Sequence, residues 1–212
     1  MNKIIILLIL VLGIGINGCE ESVKIEDLSK AYLDQDFKSF MTNNANLKSR
    51  FLKTNQTEKS IEVFRSTVET SDLQKISEKL GFNSLQELDK FGSNQKAAFD
   101  RFLAKYPTLN GENGLNVQQF KSIVDAYIKN ENDSGVEQKF NGRTKGCVGG
   151  YCLQSMINCT NAADADFSLG SAMCFTYVYY LPAYVLCQAG VTLNWSVDNS
   201  NCIRFYDDCC AP

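Results

Sequence analysis

Apolar residues recur at three- and four-residue intervals through roughly the first two thirds of the chain, the period of one face of an α-helix. Ile61, Phe64 and Val68 share a face, as do Leu73, Ile76 and Leu80, and Gly81 then fits a helix C-terminal cap. Ser84-Leu85-Gln86-Glu87 reads as a capping box that opens the next helix. Its stripe runs through Leu88, Phe91, Phe99, Phe102, Leu103 and Tyr106, with a break expected at Gly92 and a stop at Pro107. Asn116 and Gln119 cap a further predicted helix carrying Phe120, Ile123, Val124 and Tyr127. Upstream, the pattern predicts one helix over Ile25–Phe40 and another over Leu47–Phe51. The aromatic stripes are read as core. The fold class that follows is mainly α: an N-terminal helical bundle, then a small, disulfide-rich C-terminal module read as helical.

The pattern changes at Asn130. Residues 130–146 are polar, carry Gly135, Gly142 and Gly146, show no apolar period, and read as a linker. Asn130, Asn132, Ser134 and Gly135 resemble part of a calcium loop, but position twelve is Asn141 rather than a bidentate glutamate, so a turn is expected. Domain limits follow at 1–18 (signal), 19–129 (helical domain), 130–146 (linker) and 147–212 (disulfide-rich domain). From Asp166 to Asp198 the last segment has 31 consecutive uncharged positions, including Phe175, Tyr177, Tyr179, Tyr180, Tyr184 and Trp195. Two readings stand for that span. It is either the buried centre of a small disulfide domain, or a membrane-active hairpin bent at Pro182 with aromatics suited to a lipid interface. Cys174 to Tyr180 is β-prone, whereas Gly170-Ser171-Ala172 and the residues from Ala183 onward favour helix.

The cysteines sharpen this division. Cys19 stands alone, while Cys147, Cys152, Cys159, Cys174, Cys187, Cys202, Cys209 and Cys210 all lie in the last 66 residues. A segment that short buries only a modest core, so four disulfides at about 2–4 kcal/mol each would supply the missing stability. A zinc site is the competing reading, with Cys147 and Cys152 as one ligand pair and Cys209-Cys210 as another. The chain has no histidine, and exported thiols oxidise, so no metal or other cofactor is expected. Neighbouring Cα atoms are about 3.8 Å apart, so Cys209 and Cys210 are expected to bond to different partners; the pairing is otherwise open.

Met1-Asn2-Lys3 is a short basic start, followed by an unbroken aliphatic run from Ile4 to Leu12 and a looser stretch to Gly18. The uncharged run is shorter than the roughly twenty residues a spanning helix needs and reads as a cleaved signal. Ile16-Asn17-Gly18-Cys19 resembles the lipobox of bacterial lipoproteins, which implies diacylation of Cys19 and an envelope location at the outer membrane or cell surface. Glu20 and Glu21 are similar to the surface-export signals of lipoproteins in the Bacteroidetes group. The layout of a helical part followed by the eight cysteines Cys147 to Cys210 resembles the fulvocin C-related bacteriocin proteins of Bacteroidetes and, more distantly, haloarchaeal halocin precursors. That resemblance implies an antagonist of other cells.

Residues 19–146 hold nineteen basic and nineteen acidic side chains, so no basic patch forms and nucleic acid is not an expected partner. The same neutrality argues against reading Leu80–Leu85 as the turn of a DNA-binding helix pair. With no histidine, Ser-His-Asp and Cys-His catalysis are excluded. Ser93-Asn94-Gln95-Lys96 matches Ser-x-x-Lys by spacing alone, and Asp164 with Asp166 and Asp207 with Asp208 read as solvated loop acids. The expectation is a non-enzymatic lipoprotein held on a bilayer, facing an unknown protein or membrane target. It is either bacteriocin-like or a surface binding or structural module.

Overall fold

The computed structural model describes residues 28–111, 114–139 and 150–209, with side chains at 111 and 132–139 left undescribed. The expected signal, Cys19, Cys147 and Cys210 lie outside those residues. A 3-10 helix, Leu28–Leu33, leads into α1 (Gln35–Thr54), α2 (Glu58–Glu69), α3 (Leu73–Lys79) and α4 (Leu85–Lys105). A two-residue ladder, β1 (Asn110–Gly111) with β2 (Gly114–Leu115), precedes α5 (Val117–Lys139). The chain then forms α6 (Gly150–Cys174), a 3-10 turn at Phe175–Tyr177, and α7 (Leu181–Cys209). The mainly α class is as the apolar period requires.

Local chemistry sets the helix limits. Asp34, in an extended conformation, accepts from the backbone N–H of Asp36 at 2.8 Å and of Phe37 at 3.2 Å. This cap divides the helix expected over 25–40 and starts α1, which then runs without interruption through the segment expected to stand alone at Leu47–Phe51. Arg101 and Lys105 of α4 hold the start of α1 by ion pairs to Asp36 in its first turn and to the cap Asp34, and Lys105 first, then Arg101, keeps the Asp36 carboxyl below the ordinary range. Gly81, at φ +88°, closes α3: its N–H donates to Glu78 O and that of Phe82 to Ser77 O, both at 3.0 Å. Ser84 caps α4 through Glu87 N, but the Glu87 carboxylate returns to the N–H of Asn83 rather than to that of Ser84. A complete capping box occurs instead at Thr57 and Ser60. Asn116 Oδ1 accepts from Gln119 N at 3.2 Å, as the sequence implies.

Two expected interruptions are absent. α4 passes through Gly92, and α5 continues ten residues into the segment read as a linker, to Lys139. Lys, Glu and Gln extend a started helix without any apolar stripe. Residues 140–146 lie outside the described ones.

The core is continuous across both parts of the chain. Phe37 and Phe40 of α1, Phe99 and Phe102 of α4 and Phe120 of α5 are all buried against one another. Phe175, from the turn after α6, joins them, its ring centroid 5.4 Å from Phe99 and 6.0 Å from Phe40. The C-terminal helices therefore complete the core begun by the N-terminal ones.

Candidate functional site

α6 and α7 form an antiparallel hairpin joined, among the described residues, by three disulfides: Cys152–Cys209, Cys159–Cys202 and Cys174–Cys187, with Cα–Cα distances of 6.0, 5.7 and 5.6 Å. Down α6 the cysteines are spaced by seven and fifteen residues, and along α7 by fifteen and seven. Those intervals are close to two and four helical turns, so each set lies along one side of its helix. All three bonds are centred on the Tyr180–Leu181 peptide, as opposing residues of an antiparallel pair must be. Cys209 bonds to Cys152, not to its neighbour. Two thiols that a zinc site would have used are thus joined to each other, and the described residues hold no cluster of three metal-ligating side chains.

Small polar side chains line the inside of the hairpin. Ser168, Ser171, Gln188, Thr192 and Ser196 are buried, and their hydroxyls mostly bond back to carbonyls of their own helix, as Ser168 does to Asp164 and Thr192 to Gln188. Such residues let two helices approach closely while blurring the apolar stripe that a sequence reading depends on. Pro182 does not bend a helix: it occupies the second position of α7, where no intrahelical N–H is required.

The hairpin is fastened to α1 by charge as well as by packing. Lys48, its side chain only 15% exposed, pairs with Asp164 at 2.7 Å and lies over the rings of Trp195 and Phe167 at 5.4 and 5.7 Å. Asp164 also accepts from the indole N–H of Trp195 at 2.8 Å. It is therefore an anchor on α6 rather than a loop acid. Asp166, two residues on, pairs with Lys121 of α5 at 3.0 Å. Asp207 and Asp208 are exposed in the last turn of α7. Ser93 is exposed, while Lys96 pairs with Asp100 and stands 5.5 Å from the Tyr179 ring centroid.

Tyr184 marks the place where the hairpin meets α4. Its side chain is fully buried, and burial pushes its hydroxyl above the ordinary tyrosine range, with Asp89 adding to the rise and Gln188 opposing it. The folded protein holds this proton more tightly than the unfolded chain, so stability is complete below about pH 10 and declines as pH rises past that value. Alkaline titration followed by tyrosinate absorbance should show one tyrosine ionising only together with unfolding; Tyr184→Phe should remove that coupling.

Around the turn between α6 and α7 the surface character reverses. Phe167, Phe175, Tyr184 and Trp195 are at most 5% exposed, whereas Met173 is 53%, Tyr177 51%, Tyr179 90% and Tyr180 66% exposed. The uncharged span thus divides into a buried body and an aromatic tip, and the Cys174–Cys187 bond closes directly behind the tip. Among the described residues no helix is long and apolar enough to cross a membrane. Comparison with family models, curated proteins and solved structures found no match.

Proposed function

We propose that this chain is an exported lipoprotein of the bacterial cell envelope, held at the outer membrane or cell surface through Cys19, which acts by binding rather than by catalysis. The observation that carries this reading is the seating of the oxidised hairpin in the shared core. Phe175 packs among Phe40 and Phe99, and Lys48 is held by Asp164, Trp195 and Phe167. Freeing residues 147–212 as a diffusible fragment would uncover those rings, at about 25 cal/mol per Å² of apolar surface. The arrangement favours a module that stays attached to its helical domain. The bacteriocin-like reading keeps one supporting observation, the uncharged tyrosine-bearing tip.

Fatty-acid labelling of cells producing the parent and Cys19→Ala proteins tests the anchor. The parent should carry label and fractionate with membranes, and the variant should carry none; equal labelling of both would sink the lipobox reading. Culture medium is then searched for a C-terminal fragment. Its absence is expected. A released fragment that inhibits related bacteria would replace the binding role with the antagonist one.

A further inference from the structure

We infer that the hairpin tip, Met173, Tyr177, Tyr179 and Tyr180, seats in the headgroup region of the lipid bilayer to which the chain is anchored. The inference rests on acylation of Cys19. Tyrosine combines an apolar ring with a polar hydroxyl and favours that depth of a membrane. No acidic or basic residue lies between Asp166 and Asp198, so the tip itself brings no charge to be desolvated. The nearest cation in contact with it, Lys96, is already paired with Asp100.

Chain geometry places the tip within reach. Eight residues separate Cys19 from Leu28, the first described residue, a maximum span of about 30 Å. From Leu28 the chain enters α1, and Phe40 on that helix stands 6.0 Å from Phe175 at the base of the tip. The 3-10 helix and the first turns of α1 cover on the order of 20 Å. The length of chain between Cys19 and α1 is thus enough for the tip to meet the bilayer that would hold Cys19.

The patch is also the wrong size for a stable protein partner. At their observed exposures its side chains offer on the order of 500 Å², against the roughly 800 Å² that a standard protein interface covers on each side. Contact is confined to the tip, because the large apolar residues in the rest of the uncharged span are buried or half-buried. Tyr151 and Phe205, exposed at the opposite end of the hairpin, border residues outside the described ones and are not included.

The test uses the full mature chain carrying Cys19→Ala, oxidised and unacylated, with phosphatidylcholine vesicles and a second set containing anionic lipid. Co-sedimentation should show partition into both, nearly unchanged by salt. Replacing all four tip residues by serine should reduce it about tenfold, since such binding scales with buried apolar area. Tyr151→Ser should leave it unchanged. Unchanged Trp195 emission and disulfide content in each variant confirm that folding is intact. Equal partition of parent and tip variant would overturn the inference, as would no partition at all, or binding to anionic vesicles alone that salt abolishes. Tip-dependent capture of an envelope protein without vesicle partition would overturn the bilayer as the occupant. Failure of the anchor is read separately, from fatty-acid label at Cys19 in cells; vesicle partition in the absence of label would still support the tip.

Discussion

Reduction and alkylation of the disulfides is expected to unfold the hairpin and to take the rest of the core with it. Three bonds at about 2–4 kcal/mol each together match the whole stability of an ordinary domain, about 5–15 kcal/mol. The hairpin has few large aliphatics to fall back on, because its buried faces mix serine, threonine and alanine with a few aromatics. Trp195, the one tryptophan in the chain, reports the outcome: it is 5% exposed and packed on Phe167. Its emission should shift to the red on reduction, with loss of helical circular dichroism. Of the single bonds, Cys159–Cys202 spans 43 residues, and Cys202 is 1% exposed. The pair of serine substitutions there should cost about 3 kcal/mol in urea unfolding. Removing Cys152–Cys209 should cost less despite its longer span of 57, because with the two inner bonds intact it restrains only the helix ends. Native emission and unchanged urea midpoints in the fully reduced protein would refute the view that the ladder holds the fold.

Gly92→Ala should destabilise the protein by about 1–2 kcal/mol, the net of an overpacking cost of about 1–3 kcal/mol and a helix-propensity gain of up to about 1 kcal/mol. A Cβ at Gly92 would lie 2.5 Å from Cε1, Cζ and the hydroxyl oxygen of Tyr184. Tyr184 is fully buried on α7, so neither it nor α4 can yield without opening the core. The control is the same change in a Tyr184→Leu background. There the ring is gone, and Gly92→Ala should cost at least about 1 kcal/mol less, or become stabilising through propensity alone. Additive effects in this double-mutant cycle would show that the two residues do not meet.

Gly92 illustrates a general limit on reading this chain from its sequence. In a one-dimensional pattern an isolated glycine signals a helix break, and only the partner helix reveals it as room for a ring. Asp164 is a similar case: its meaning depends on Lys48, 116 positions earlier, and on Trp195, so nothing beside it in sequence marks it as an anchor. The disulfide ladder differs, since its signal was present. Cysteine spacings of seven and fifteen that repeat in reverse order are what an antiparallel helical pair needs, and reading the gaps one at a time hides the symmetry. The small polar residues inside the hairpin hide it further, because their helices carry no strong apolar stripe.

The order of residues along the chain dictates features that are local and compositional. Apolar spacing placed helices on Ile61–Leu80, Leu88–Tyr106 and Phe120–Tyr127, because a helix must bring every third or fourth side chain to one face. Asn116 and Gly81 marked ends, because unpaired N–H groups and a positive φ have few chemical solutions. The clustering of cysteines in a segment too short for a large core foretold disulfides there. Tertiary structure alone decided that the hairpin's core and the bundle's core are one, with Phe175 among Phe40, Phe99 and Phe120. It also decided which aromatics of the uncharged span are core and which form the tip. Hydrophobic burial is non-directional: it tells a ring to leave water without saying which ring will cover it, and that choice is made only when helices distant in sequence compete for the same space.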